Sequence, residues 1–179
     1  MKTSMQSGRS MIEMMGVLAI IGVLSIGGFS MMTKISNSRK SNAIIDEISS
    51  LAGKARGIIR EYDDGDTGDE YSGLSGFLQK SRAYPDAVEW DAGCNCFIGT
   101  DDVSYTLTYN KTNGSLFEMD VDGLSAEACM EVVSTNWGSV GTNGFVKITI
   151  GEKTSSTPLG IGDASDVCED DSSVKFTFR

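Results

Sequence analysis

"GRSMIEMMGVLAIIGVLSIGGFSMM", residues 8–32, decides how the rest of this 179-residue chain is read. Between Glu13 and Lys34 lie twenty consecutive uncharged, mostly apolar residues. At about 1.5 Å per residue, a helix of that length spans the roughly 30 Å hydrocarbon core of a bilayer. Glu13 sits at the start of this run. A carboxylate in a membrane-length segment is strongly unfavourable without a partner, so it marks function. A secretory signal carries its small-residue cleavage site after the apolar region. Here Gly8, at the end of the polar "MKTSMQSG", precedes it. Lys2 and Arg9 flank one end, and Lys34, Arg39 and Lys40 the other, so the positive charges do not choose an orientation.

The helical pattern continues beyond the run. Ile44, Ile45, Ile48, Leu51, Ala52, Ala55, Ile58, Ile59 and Tyr62 recur at spacings of three and four, with charged residues between them. This stripe is expected to lie under a sheet. One helix over residues 9–62 would be about 80 Å long. It ends at the acidic "DDGDTGDE", residues 63–70, read as a solvated loop because its spacing fits no EF-hand. "LSGFLQKSRAYP", residues 74–85, reads as a short helix closed before Pro85.

Strand signals follow. "VSYTLTY" and "SLFEMDV" alternate and are joined by "NKTNG", whose Asn113-Gly114 suits a hairpin turn. Ser125 is placed to cap a helix carrying Cys129. "FVKITI" and "VKFTFR" are two further alternating strands, the last with Val174, Phe176 and Phe178 on one face. The expected fold class is α+β, a long N-terminal helix packed on a roughly four-stranded antiparallel sheet.

Composition bounds the chemistry. The net charge of −10 comes mostly from acids beyond residue 60, which argues against wholesale nucleic-acid binding. There is no His, the commonest general base and metal ligand. With no G-x-S-x-G and no phosphate loop either, no enzyme activity and no cofactor are expected. The four cysteines, Cys94, Cys96, Cys129 and Cys168, all follow the apolar segment. A zinc site would need all four, and the C-x-C spacing lacks paired C-x₂-C knuckles. Two disulfides in an oxidising compartment is the better reading, placing the C-terminal portion outside the cytoplasm.

The N-terminal residues "G-R-S-M-I-E-M-M-G-V-L-A-I-I-G-V-L-S" resemble the start of type IV pilins and type II secretion pseudopilins. The resemblance is strong only over residues 8–32. It implies a prepilin peptidase cutting between Gly8 and Arg9, methylation of Arg9 as the new N-terminus, and Glu13 as the fifth mature residue, acting in assembly. Two positions depart from the family pattern: Arg9 stands where Phe or Met is usual, and Ser30 where many members have Pro. Gly22, Gly27 and Gly28 weaken the helix there, since Gly costs about 1 kcal/mol relative to Ala.

The implied organisation is a leader over 1–8, a transmembrane and polymerisation helix over 9–33, its amphipathic continuation over 34–62, and a pilin head over 63–179. A Cys129–Cys168 pair would resemble the family's C-terminal disulfide loop and leave Cys94 to pair with Cys96 across one residue; each of the latter reaching a different partner is the alternative. The implied function is a structural subunit of a homo-oligomeric filament. It would be handled by the peptidase and inner-membrane assembly machinery, held in the inner membrane before assembly and displayed on an extracellular pilus afterwards. The alternatives are a pseudopilin and, in a different class, a monomeric membrane-anchored binding module.

Overall fold

The structure, a computed structural model, describes residues 11–59, 73–109, 116–138 and 144–179, with the side chains of residues 14–21 and 36–59 in the first of these stretches. The chain divides into two compact units, residues 1–37 and 38–179. Helix α1, Met11–Ile58, contributes to both. Among the described residues no helix is long and apolar enough to cross a membrane. The side chains of 22–33, inside the expected apolar span, lie outside the described residues.

In the second unit the apolar stripe of α1 enters the core. Ile44, Ile48, Leu51, Ala52 and Ala55 are fully buried, in one cluster with residues from every long strand. Ile45, Ile58 and Ile59 pack partly against it. Tyr62, the acidic stretch 63–70 and the Asn113-Gly114 turn lie outside the described residues. Helix α2, Gly73–Lys80, buries Leu74 and Leu78. Its last turn is closed by the Ser81 hydroxyl, which donates to the Phe77 carbonyl at 2.7 Å.

The sheet has seven antiparallel strands rather than about four. They are β1 (Glu89–Asp91), β2 (Cys96–Ile98), β3 (Ser104–Tyr109), β4 (Phe117–Leu124), β5 (Phe145–Ile150), β6 (Lys153–Ser155) and β7 (Ser172–Phe178), in the order β1-β2-β3-β4-β7-β5-β6. The four expected strands are β3, β4, β5 and β7. The added three have only three residues each, too few for alternation to register. Helices α3 (Ala126–Ser134) and α4 (Ile161–Ser165) complete the unit.

Placing the C-terminal strand between β4 and β5 builds the densest part of the core. Val174, Phe176 and Phe178 each face a partner on both sides: Val121, Met119 and Phe117 on β4, and Ile150, Ile148 and Phe145 on β5. Phe117 and Phe178 stack with centroids 5.3 Å apart, and Trp137 meets Phe176 edge-on at 5.0 Å. Gly123, at φ +85°, sits where the β4–β7 register shifts. Its left-handed backbone would strain any residue with a Cβ.

Candidate functional site

Three features stand out. The first is the N-terminal part of α1. From Met14 to Ile21 every residue is exposed, and Met14, Met15, Val17, Leu18, Ile20 and Ile21 are each more than half exposed. Their spacing covers all sides of the helix. A helix that is apolar all round is stable only against lipid or other protein, and an exposed apolar surface of this extent marks an interaction site. Of the residues assigned to this region from sequence, Gly8 and Arg9 and the Glu13 side chain lie outside the described residues.

The second is a buried carboxylate that periodicity missed. Glu47, one of the charged residues between the stripe positions of α1, is only 4% exposed. Its Oε1 accepts from the Thr100 hydroxyl at 2.6 Å and its Oε2 from the Tyr105 hydroxyl at 2.6 Å. The Thr100 amide donates to both oxygens at 3.1 Å. The signal was its position, three residues after Ile44 and four before Leu51, on the flank of the apolar stripe. A Cβ on Gly99 would lie 2.2 Å from Glu47 Oε2 and 2.7 Å from a Tyr105 ring carbon, so glycine is required for the loop to approach the helix. Lys40 adds an exposed ion pair to Asp101 at 2.5 Å, worth under about 1 kcal/mol.

This arrangement clamps the β2–β3 loop to α1. Glu47→Ala would leave the Tyr105 and Thr100 donors buried without acceptors. We expect a loss of about 2–4 kcal/mol, read as a lowered denaturant midpoint by Trp90 and Trp137 fluorescence. Glu47→Gln should lose less.

Burial first, then the hydrogen bond to Glu47 and its charge, push the Tyr105 hydroxyl far above its ordinary 10.0. An unfolded tyrosine releases its proton near pH 10, whereas the folded one holds it. The stabilisation is therefore complete below about pH 10 and is lost as pH rises beyond it. Lys175 is also raised, chiefly by its hydrogen bond to Asp120, with burial opposing, and acts in the same alkaline direction. Stability should fall from about pH 10 upward, and Tyr105→Phe should flatten that fall in a pH series of denaturation midpoints.

The third feature is the disulfide-tied corner. Cys129 on α3 is bonded to Cys168, with Cα atoms 5.7 Å apart. Cys94 is bonded to Cys96, with Cα atoms 5.2 Å apart, around Asn95 at φ 56°. Ser125 caps α3 by accepting from the Ala128 amide at 3.3 Å, as its position suggests. Asp170, two residues past Cys168, accepts from the Ala126 amide at 3.0 Å. The same helix end is thus tied covalently and by hydrogen bonds to the segment that leads into β7. Asp120 pairs with Lys175 at 3.1 Å, and Asp122 accepts from the Ser173 hydroxyl. Among the described residues no cluster of three or more Cys, Asp or Glu side chains is arranged to hold a metal ion.

No protein-family model matches the sequence, and no curated protein matches it. Among solved structures, the crystal structure of type IV b pilin from Salmonella typhi is similar, with a TM-score of 0.53 at 17% identity. The match covers 73% of this chain and 94% of that one. At that identity the likeness speaks for the fold: this chain has a pilin-like α+β fold with an antiparallel sheet.

Proposed function

We propose that the chain is a type IV pilin, a structural and non-catalytic subunit that polymerises through the N-terminal part of α1 into an extracellular filament. The observation that carries this reading is the apolar surface from Met14 to Ile21, exposed on all sides of a helix that continues into a pilin-like head. Such a surface needs lipid before assembly and other subunits after it. The uncharged run from Met14 to Thr33 has the length for the first role, and helix bundling supplies the second.

On this reading a prepilin peptidase removes residues 1–8 and methylates Arg9, and the inner-membrane assembly machinery extrudes the mature subunit. Both disulfides then lie outside the cytoplasm, where they persist. The experiment is Gly8→Val in a host carrying prepilin peptidase. A side chain at this position crowds a protease site that takes the backbone extended. We expect uncut precursor in the membrane and loss of sheared surface filaments. Cleavage and filament yield like the unmodified chain's would sink the reading.

A further inference from the structure

An oxidising compartment keeps both disulfides closed, but they differ in what a reductant meets. Cys129 and Cys168 stand in the core cluster, 0% and 7% exposed. Their bond ties α3 to the segment leading into β7, so a reagent reaches it only when that corner opens. Of the four cysteines only Cys94 is exposed, in the turn between β1 and β2. Its partner Cys96, on β2, is 1% exposed.

The folded head has room for the open form of this second bond. Strand β1 is an edge of the sheet and pairs with β2 alone. Without the bond the hairpin keeps its ladder, Glu89 opposite Ile98, Trp90 opposite Phe97 and Asp91 opposite Cys96. It also keeps the edge-on contact of Trp90 with Phe97, at 5.2 Å. The turn holds an acceptor for the proton that a reduced Cys94 would carry. Cys94 Sγ lies 3.6 Å from the Asp91 carbonyl, within reach of an S–H donor. The Asp91 carboxylate is fixed in the same turn, its Oδ1 accepting from the Gly93 amide at 2.7 Å. A neighbouring carboxylate favours the thiol over the thiolate, and the thiolate is the form that would close the ring again.

We propose that Cys94–Cys96 is a thiol–disulfide exchange site, opened from the folded head by an external dithiol while Cys129–Cys168 stays closed. One thiolate of the dithiol attacks Cys94 Sγ, the exposed sulfur. A bond forms between the two, the Cys94–Cys96 bond breaks, and its electron pair leaves on Cys96, which takes a proton from water. The second thiol of the reagent then gives up its proton and attacks the reagent sulfur bonded to Cys94. The reagent leaves as a disulfide, oxidised by two electrons, and Cys94 is released as a thiolate that takes a proton and donates it to the Asp91 carbonyl. The inference concerns the head alone and does not rest on the filament reading.

The test treats the full folded chain with dithiothreitol, quenches samples in time with iodoacetamide, and maps the alkylated peptides. Cys94 and Cys96 should be labelled at least about tenfold faster than Cys129 and Cys168, with the circular dichroism of the head unchanged while they are. A second arm uses oxidised glutathione on two variants. Cys96→Ser, which leaves Cys94 as a thiol, should form the mixed disulfide at least about tenfold faster than Cys94→Ser, which leaves the buried Cys96. Labelling of all four cysteines at one rate, labelling of Cys94 and Cys96 only as the head unfolds, no labelling of them at all, or equal reaction of the two variants would overturn the proposal.

Discussion

Glu13→Ala is expected to give a subunit that is inserted, cleaved and folded but absent from filaments. With residues 1–8 removed as proposed, the chain would begin with the amine of Arg9, four residues before Glu13. In the proposed filament, a bundle of apolar helices, that amine would reach the Glu13 of a neighbouring subunit. At about 4 Å and an effective dielectric near 20, the pair attracts by about 4 kcal/mol before desolvation is subtracted. An unpaired carboxylate among apolar helices is strongly unfavourable, so the pair selects the axial register of subunits more than it adds net stability. The competing arrangement pairs Glu13 with Arg9 of its own chain, and the extra guanidinium at this position favours it more than Phe or Met would. The two differ in outcome. Self-pairing leaves Glu13→Ala filaments near normal yield, whereas pairing between subunits reduces them to traces. Immunoblots of sheared and cell-bound fractions separate the two.

Replacing Cys129 and Cys168 together by Ser should be the most damaging change to the head. The bond joins residues 39 apart. In the chain-entropy model, closing a loop of that length contributes about 4 kcal/mol. It also fixes α3 against the segment that leads into β7, the strand that lies between β4 and β5. A loss of that size lowers the melting temperature by about 10 °C or more in a domain of this size. The Cys94–Cys96 bond spans two positions. The same model gives it only about 1.5 kcal/mol, and Cys94 is exposed. Melting of the Cys94→Ser/Cys96→Ser and Cys129→Ser/Cys168→Ser variants, followed by Trp fluorescence, compares the two. Equal effects, or a larger one from the Cys94–Cys96 pair, would contradict this account.

Much of the head was legible because burial imposes a period. Ile44, Ile48, Leu51, Ala52 and Ala55 of the stripe and the alternating Val174, Phe176 and Phe178 are all fully buried. The Ser125 cap was legible because its chemistry is local. What escaped was either short or nonlocal. Strands β1, β2 and β6 are three residues each and are defined by the neighbours they pair with. The position of β7 between β4 and β5 depends on pairing across the chain, which alternation within one strand does not encode. Glu47 escaped for a related reason. A carboxylate on a helix reads as solvent-facing unless its partners are known, and Thr100 and Tyr105 lie more than fifty residues away. At the N-terminus, the apolar run was legible by its length, and its exposure on every side of the helix from Met14 to Ile21 is what the fold adds.

The most direct test of the filament account is the intact mass of the protein in sheared surface filaments, with sequencing of its first residues. The account predicts a chain beginning at a methylated Arg9, shorter than the encoded chain by residues 1–8. A chain in that fraction retaining "MKTSMQSG", or found only as uncut protein in the membrane, would contradict it.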